Sequence, residues 1–459
     1  MSFISSRFDP FTVNCILFDS RTAFELVIPK NYDVLPFLRF IKRTLGYVKW
    51  NFLQIIQHTQ PRYRYAGINC YKHLYDNSFL FNLPTVNNQK AFENIINDIS
   101  STKNDIKIIK DGLNSEDYPL FRIYAVSLLF LPYLWFKYFR CSKKEKKIVC
   151  YYLIDFIITP GLSWFYSKIL NRYRPQCVFL SNDHRVLTKT MILACEKRNV
   201  KTLYVQHASV SYAFPELHFT YSFLDGMDSL DKYTSDGKIT KGDVFLFGAI
   251  RYDFLSSYRV KRNLSKRNCI GIAINEIDDN AIVDSICNKL LNHFPNINIR
   301  IRSHPGLKNR PFVFSPNQRI FYTCAVDETI TDYFDSIDIQ IANDSGIHFD
   351  AIIAGIPTIA FNFAKSEYGD NYGYVANGIL RYAHKIEDLI SYLENNNAGF
   401  HSVPINNIRR YDESFMKDYS GHCSEIVADF ILHNFNLDYL SEKYGLHIKQ
   451  QGKNIYYTI

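Results

Sequence analysis

The segment IDIQIANDSGIHFDAIIAGIPTIAFNF, residues Ile337–Phe363, decides the fold class. It consists of an apolar run, a polar turn at 343–346, a helical pattern that ends at Gly355, and a second apolar run. Two short apolar runs on either side of one helix are typical of a β-α-β unit with parallel strands. The polar turn follows the first strand at its carboxyl end, where ligands of such sheets bind.

The same alternation continues on both sides of this segment. The predicted strands lie at 269–274, 297–302, 320–323, 337–342 and 357–363, and the predicted helices at 278–294, 328–336, 347–354 and 386–395. Strands and helices that alternate in this way predict a doubly wound α/β domain.

An earlier part of the chain repeats the pattern once. It predicts a strand at 177–181, a helix at 187–197 and a strand at 202–205. The first 175 residues have mixed helical patterns, and we expect early strands and a helical insertion there. The fold class is therefore α/β with two Rossmann-like domains.

The domain boundaries follow from these patterns. The predicted domains are 1–250 with the helical insertion, 265–400 as the second Rossmann-like domain, and a helical segment 401–459 that crosses back to the first domain, with a basic hinge near 245–268.

Composition excludes several classes of protein. The chain has 459 residues, of which 47% are hydrophobic and 21% charged, which excludes wholesale disorder. Its 53 Lys and Arg against 45 Asp and Glu give a net charge of +8. A balance this mildly basic fits anionic substrates or an anionic membrane surface, and gives no reason to expect nucleic acid as a partner.

The ten cysteines predict neither a zinc site nor a redox motif, because no two of them form C-x-x-C. Many lie in apolar runs, as small buried side chains of a reduced compartment do. The first ten residues lack the apolar core of a secretory signal. We expect a cytoplasmic location, with peripheral contact at the inner face of the cytoplasmic membrane as an open alternative.

The strongest candidate for membrane contact is Tyr124–Phe139. These 16 residues contain Pro132 and Lys137 and are shorter than the ~20 apolar residues that a spanning helix needs. With the basic flank that follows, Tyr124–Lys147 fits an interfacial segment against anionic lipid. It also fits a buried core helix followed by a solvated charged turn, which is the favoured interpretation.

Two polar turns of the second domain are candidates for binding an anion. Asp344, Ser345 and Gly346 precede a helix whose first N–H groups are unpaired, which predicts a phosphate seat or a plain helix cap. His304 follows another strand, and with Arg302 and Pro305 it predicts a phosphate contact or a solvated turn.

One carboxylate follows the first of these turns at helical spacing. Asp350 lies four residues beyond Gly346 and is a candidate acceptor for ribose hydroxyls, or a capping carboxylate.

The first domain offers candidates for activating a hydroxyl group. Asp183, His184, Gln206 and His207 follow the two predicted strands on one rim. A carboxylate or imidazole there is able to act as general base, with Asp183 and His207 favoured. Each is otherwise a hydrogen-bonded loop residue. The chain has no D-x-D triplet, no G-x-x-x-x-G-K-[ST] and no G-x-G-x-x-G, so a metal-clamped site, a P-loop and a dinucleotide site are not indicated.

Taken together, these motifs resemble those of the GT-B glycosyltransferases of bacterial surface polysaccharide synthesis. That group includes capsule sialyl- and Kdo-transferases and the related CDP-glycerol glycerophosphotransferases. The resemblance covers 175–395 and rests on Gln206-His207-Ala208-Ser209, Arg302-x-His304-Pro305, Asp344-Ser345-Gly346, Ala351 and Gly355-Ile-Pro357.

The resemblance implies two Rossmann-like domains that face each other across a cleft. It implies a nucleotide-sugar donor on the second domain, at His304 and Ser345, and a glycan or glycolipid acceptor beside Asp183 and His207. It implies transfer without a bound metal or cofactor, and a CMP-linked acidic sugar as the donor. The alternatives are a CDP-polyol phosphotransferase, and a non-catalytic protein that binds a nucleotide or a glycan.

The chain departs from the family pattern at two positions. Ala208 stands where Gly is usual, and Gly346 stands where a second Ser or Thr is usual. The second change removes one hydroxyl from the expected phosphate site, so backbone N–H groups would carry more of the contact.

Overall fold

The computed structural model describes residues 28, 32–58, 79–83, 86–102, 106–110, 118–182, 185–212, 214–261, 268–309, 315–394 and 403–458. Asp183 and His184 lie outside these ranges. The chain divides into two compact units, Met1–Phe247 with Ser424–Ile459 and Gly248–Cys423.

The described residues form strands and helices that alternate over most of the chain. The strands are β1 Phe79–Leu83, β2 Ile106–Lys110, β3 Cys177–Leu180, β4 Lys201–Val205, β5 Tyr221–Leu224, β6 Asp243–Leu246, β7 Cys269–Ile274, β8 Asn298–Ser303, β9 Ile320–Cys324, β10 Ile339–Ala342, β11 Thr358–Phe361, β12 Arg381–Ala383, β13 Ile448–Gln451 and β14 Ile455–Thr458. The helices are α1 Phe37–His58, α2 Val86–Thr102, α3 Leu120–Leu129, α4 Leu131–Arg140, α5 Lys143–Tyr151, α6 Leu153–Tyr173, α7 Val186–Glu196, α8 Met227–Thr234, α9 Asp253–Lys261, α10 Asn280–His293, α11 Ile330–Asp335, α12 Ile347–Ile353, α13 Ile386–Glu394, α14 Ile405–Arg409, α15 Cys423–Leu432 and α16 Leu437–Tyr444.

The first unit is built on an eight-stranded sheet with the order β2-β1-β3-β4-β5-β6-β14-β13. All neighbouring strands are parallel except β13, which is antiparallel to β14. β14 comes from the end of the chain and pairs with β6, with Ile455 opposite Val244. The direction of strand order changes between β1 and β3, so the switch point of this sheet lies there.

A layer of helices covers one face of the first sheet. Gly161 of α6 lies so close to α3 that a Cβ on it would come 2.0 Å from the carbonyl oxygen of Ile123. Ser127 of α3 accepts a hydrogen bond from the Gly161 N–H at 3.2 Å. Glycine therefore allows the two helix backbones to touch, and α1 lies along α3 and α4 on the same layer.

The second unit is built on a six-stranded parallel sheet with the order β12-β11-β10-β7-β8-β9. Numbered from β7, this is the order 3-2-1-4-5-6 of a doubly wound fold, and its switch point lies between β7 and β10. A row of fully buried isoleucines crosses the sheet, because Ile272, Ile301, Ile341 and Ile359 are in register. Burial on both faces explains why these strands are continuous apolar runs.

The chain passes between the units at two places. Gly248, where the second unit begins, has φ of +107°, and a Cβ there would meet the Ser414 side chain at 2.4 Å. The buried carboxylate of Asp412 accepts a hydrogen bond from the Ala249 N–H at 3.0 Å. The basic segment predicted as a hinge contains α9, whose Leu255 packs in the core of the second unit.

The apolar segment Tyr124–Phe139 is divided between α3 and α4, whose axes differ by 52°. Within the described ranges, no single helix is both long and apolar enough to cross a membrane, although two bent helix pairs have the length and hydropathy together. The eight described cysteines are free thiols, six of them buried.

Candidate functional site

Loops after three strands of the second sheet meet at its switch point. The amide Nδ2 of Asn343, just after β10, donates to Oδ1 of Asp278, in the loop after β7, at 2.9 Å. The other carboxylate oxygen of Asp278 accepts from the Asn275 N–H at 2.7 Å. Both side chains are buried, and burial raises the pKa of Asp278. This bond holds together the two loops that border the crevice.

His304 stands at the same edge, directly after β8. Its backbone N–H donates to the carbonyl of Ile274, the last residue of β7, at 2.9 Å. Its ring Nδ1 accepts a hydrogen bond from the Gly306 N–H at 3.1 Å, and the residue is exposed. Because Nδ1 accepts, the neutral ring carries its proton on Nε2. His304 therefore presents a fixed N–H donor, with Pro305 beginning the short turn that holds it.

The Arg302 side chain is turned away from the predicted phosphate contact. Its guanidinium donates to the carbonyl oxygens of Glu328 at 2.9 Å and Thr329 at 3.3 Å, and it lies 5.5 Å from the centre of the Tyr333 ring. The side chain is buried, and burial lowers its pKa. It braces the loop after β9, together with the Arg300–Glu328 ion pair. The alternation of side chains along β8 predicts this orientation of Arg302, because Ile299 and Ile301 occupy the opposite face of the strand.

The turn after β10 has one anchored residue and two partly exposed ones. The carboxylate of Asp344 accepts hydrogen bonds from the backbone and side-chain nitrogens of Asn371, both at 2.7 Å. Ser345 and Gly346 are partly exposed, and a Cβ built on Gly346 would have no atom within 4 Å. Space for a ligand to approach the backbone thus lies over Gly346.

The buried side chain of His348 holds the turn after β10 in place. His348 Nε2 lies 3.0 Å from the Asn343 carbonyl oxygen, and Nδ1 lies 2.5 Å from the Thr358 hydroxyl. Burial lowers the pKa of His348 to about 4, so the ring is neutral at pH 7. A carbonyl can only accept, so Nε2 is the donor and the Thr358 hydroxyl donates to Nδ1.

Asp350 lies one turn further along α12. Burial raises its pKa to about 6, while the charge of Arg251 and a hydrogen bond from Tyr252 act in the opposite direction. The side chain is partly exposed. Arg251 also donates to the Tyr252 hydroxyl at 3.2 Å. The structure thus places Asp350 in a small network, at the same end of the sheet as Ser345.

Several polar residues of this edge were missed by reasoning from sequence. They are Asp278, Asn371, Arg251 and the tyrosines 368 and 372, of which Tyr368 stacks on Tyr382 with 4.3 Å between ring centres. The position of Asp278 at the start of a predicted helix, four residues after a predicted strand, was an available indication. Residues 366–373 form an irregular segment, and no local pattern indicates that it returns to Asp344.

In the first unit, Gln206 joins the ends of two strands. Its Nε2 donates to Asp225 Oδ2 at 2.7 Å, and its Oε1 accepts from the Asp225 N–H at 3.1 Å. Both residues are buried. His207 is the next residue and is partly exposed. The structure thus brings Gln206 and His207 to the carboxyl edge of the first sheet.

The switch point of the first sheet is bordered by neutral amides and a hydroxyl. Asn88 Nδ2 donates to the Ser181 carbonyl at 3.2 Å, and Asn182 Oδ1 accepts from the Arg185 N–H at 2.9 Å. Asn88, Ser181 and Asn182 are all buried. Among the residues that the structure describes, no group of three or more His, Cys, Asp or Glu is arranged to hold a metal ion.

No family model matches the chain, and no curated protein matches it in sequence. Among solved structures, it is similar to the wall teichoic acid polymerase TagF, at 13% identity and a TM-score of 0.50, over 87% of this chain and 98% of that one.

Two other similar structures have lower scores. UDP-GlcNAc 2-epimerase from Neisseria meningitidis, bound to UDP-GlcNAc, has a TM-score of 0.48 at 13% identity, over 78% of this chain and 100% of that one. The spinosyn rhamnosyltransferase SpnG, complexed with spinosyn aglycone, has a TM-score of 0.42 at 9% identity, over 78% of this chain and 100% of that one.

The likeness to the polymerase shows the fold. The predicted α/β class with two Rossmann-like units, of the GT-B type, is confirmed.

Proposed function

We propose that the chain is a nucleotide-sugar-dependent glycosyltransferase whose second unit binds the donor. The observation that carries the proposal is the switch point of the second sheet. There the Asn343–Asp278 bond joins the loops after β7 and β10, and His304 is anchored beside them by Ile274. Doubly wound sheets bind their ligands in the crevice at this point.

Two features favour a phosphorylated ligand. His304 offers an exposed donor whose direction is set by the Gly306 bond, and the backbone at Gly346 is open to close approach. Donors that are already oriented stabilise the charge that develops on a leaving phosphate, without reorganisation during the reaction. Asp350 is the proposed acceptor for ribose hydroxyls.

In the proposed reaction an acceptor hydroxyl oxygen forms a bond to the anomeric carbon of the donor sugar. The bond from that carbon to the nucleotide phosphate breaks, and its electron pair remains on the phosphate oxygen. His304, Ser345 and Gly346 donate to that phosphate. Asp183 or His207 takes the hydroxyl proton, as the family resemblance implies. The proposed chemistry needs no metal or cofactor, and the acceptor is a glycan or a glycolipid.

The favoured donor is a CMP-linked acidic sugar, because of the motifs that resemble capsule sialyl- and Kdo-transferases. A CDP-polyol phosphotransferase is the second candidate. It is favoured by the similar fold of the wall teichoic acid polymerase, one form of which was soaked with CDPG.

Binding of nucleotides tests the donor site. We expect CMP or CDP to raise the melting temperature of the full chain in the presence of EDTA, and UMP, UDP, GDP and ADP to have little effect. A ligand at about 100 times its Kd adds about 2.7 kcal/mol to the free energy of unfolding. CMP points to the acidic sugar and CDP to the polyol.

His304→Ala is expected to lose this response, since it removes the Nε2 donor. The matched control is His293→Ala, because His293 is an exposed histidine at the opposite end of the same sheet, beside Glu394. Equal responses of the two variants would reject His304 as a ligand. The absence of any nucleotide response would reject the proposed function.

Turnover separates an enzyme from a binding protein. We expect His207→Ala to keep the nucleotide response and to lose sugar transfer at least about a hundredfold, the lower range for loss of a general base. Nucleotide binding without turnover of any CMP- or CDP-linked donor would favour the non-catalytic alternative.

A further inference from the structure

Large apolar side chains are exposed mainly on the helical layer of the first unit. Of the twenty exposed large hydrophobic residues among those described, eleven lie between residues 38 and 154. Leu38 and Leu129 are each 78% exposed, Phe139 65% and Trp50 56%. An exposed apolar patch of this kind marks a site of interaction.

Most of these side chains belong to α1, α3 and α4, which pack against one another. At one end of α1, Phe37 packs edge-on against Phe139 of α4, with 5.4 Å between ring centres. At the other end, Phe52 packs in the same way against Phe121 of α3, also at 5.4 Å. The helix therefore lies along the α3–α4 pair, and their exposed residues form what we name the outer helical face.

The helices of this face, together with the adjoining α5, carry a large excess of basic residues. Of the 53 basic and 45 acidic residues, eleven and one lie in α1, α3, α4 and α5, which leaves 42 basic against 44 acidic residues elsewhere. On α1, the exposed residues Arg39, Lys42, Arg43 and Lys49 alternate with the exposed leucines and Trp50. The whole of the excess positive charge is therefore concentrated on these helices.

We propose that the outer helical face docks on an anionic lipid bilayer. Its leucine, phenylalanine and tryptophan side chains enter the interfacial region, while its Lys and Arg side chains contact lipid phosphates. The guanidinium of Arg140 lies 4.3 Å from the centre of the Phe136 ring, so charge and aromatic surface are already adjacent. The proposal extends the predicted contact at Tyr124–Lys147 to α1 and does not depend on the proposed function.

Charge decides between a bilayer and a second copy of this chain. In a twofold-symmetric dimer the same basic face would meet itself, and like charges would repel across the interface. An anionic surface complements both the charge and the apolar residues.

The test is flotation of the full chain with vesicles. Vesicles of phosphatidylglycerol and phosphatidylcholine at about 1:3 are expected to bind the chain at low salt, and vesicles of phosphatidylcholine alone to bind it at least tenfold less. Binding to the anionic vesicles is expected to fall as salt rises, because screening weakens the attraction of exposed charges. Equal binding to both vesicle types, or to neither, would overturn the proposal.

Paired variants locate the contact. Lys42→Glu with Lys49→Glu is expected to lower anionic vesicle binding at least about thirtyfold, from two lost attractions of about 1 kcal/mol each. The control, Lys449→Glu with Lys453→Glu, makes the same charge change at exposed residues of the β13–β14 hairpin and is expected to leave binding unchanged. Equal losses in the two variants would mean that net charge alone is responsible, which rejects the proposed face.

A second pair of double variants tests the contribution of the apolar side chains to vesicle binding. Leu38→Ser with Leu129→Ser is expected to weaken binding more than Ile239→Ser with Val260→Ser, although the last two residues are similarly exposed, at 60% and 86%. Sedimentation of the same variants without lipid tests the rival occupant. If the wild-type chain is a dimer that does not bind vesicles, and Leu38→Ser with Leu129→Ser makes it monomeric, the face would be assigned to a second copy of the chain.

Discussion

Each unit joins two strand ends with one amide–carboxylate hydrogen bond, but the bonds lie at different places in their sheets. In the first unit, Gln206 and Asp225 join β4 and β5, neighbours on the same side of the switch point. In the second unit, Asn343 and Asp278 join β7 and β10, the two strands at which the order reverses.

Both switch points are bridged by a hydrogen bond, but the groups that form the bridge differ. Ligands of doubly wound sheets bind in the crevice at the switch point. The second unit bridges it with a buried carboxylate and has the exposed His304 beside it. The first unit bridges it with neutral groups, since the Asn88 amide donates to the Ser181 carbonyl at 3.2 Å, and its exposed apolar helices are the more distinctive feature.

The largest expected effect tests close packing in the two units. Gly161→Ala is expected to destabilise the chain by more than about 3 kcal/mol, because the added Cβ would meet a backbone carbonyl at 2.0 Å. Gly271→Ala is expected to cost roughly 1–2 kcal/mol, because its obstacles at 2.5 Å are the ends of the Ile337 and Tyr333 side chains. Gly46→Ala, with open space around it, is expected to stabilise slightly.

Urea unfolding followed by two probes measures this comparison. The three tryptophans, Trp50, Trp135 and Trp164, all lie in the first unit, so their fluorescence reports on that unit, while circular dichroism reports on both. Gly161→Ala should lower the fluorescence transition. A larger loss for Gly271→Ala than for Gly161→Ala would contradict the assignment of the tighter helix contact to α3 and α6.

The next effect separates the two amide–carboxylate bonds. Asn343→Ala and Gln206→Ala are each expected to cost about 2 kcal/mol, because each removes a donor from a buried carboxylate. Only Asn343→Ala is expected to weaken nucleotide binding as well, by at least tenfold, if the proposed function holds. Asn298→Ala, at the amino end of β8, is the control for both measurements. Equal nucleotide affinities of the two buried variants would reject a role for the second switch point in binding.

The last expected effect is a pH dependence that originates in the second unit. Burial raises the pKa of Asp412 and of Asp350 to about 6, above the ordinary 3.8. The folded chain therefore holds these protons more tightly than the unfolded chain. Their contribution to the free energy of unfolding is full below about pH 4 and is lost as the pH rises through about 6.

Asp412→Asn is expected to reduce the loss of stability between pH 4 and pH 7 by roughly 2 kcal/mol, since it removes one of these ionisations. Asp327→Asn makes the same charge change at an exposed site beside Lys308 and should leave the profile unaltered. Urea unfolding at several pH values measures both. An unchanged profile for Asp412→Asn would contradict a raised pKa at that residue.

Sequence reasoning predicted the second unit closely for a physical reason. Its strands are buried on both faces and alternate with single amphipathic helices, so each element has a distinct pattern of its own. The predicted strand 269–274 coincides with β7, and the predicted helix 386–395 ends one residue beyond α13. His304, Ser345 and Gly346 were placed at the sheet edge by the same patterns.

The first unit was predicted less completely. β1 and β2 are five residues each and are separated from β3 in sequence, with α3 to α6 between β2 and β3. β14 joins β6 from the far end of the chain, and residue spacing carries no information about such a pairing. The residues up to Cys423 belong to the second unit, although 401–459 was predicted as one segment.

The sequence by itself determined the α/β class, the parallel strands of the second unit and the residues that follow their carboxyl ends, because periodicity and turn residues are local. Tertiary structure alone decided which of those residues are engaged. Arg302 is turned to Glu328, Asp344 to Asn371, and Gln206 to Asp225, while His304 is left exposed with its Nε2 proton fixed by Gly306. A hydrogen bond depends on which distant groups the fold brings within about 3 Å, and that distance is set by packing of the whole unit.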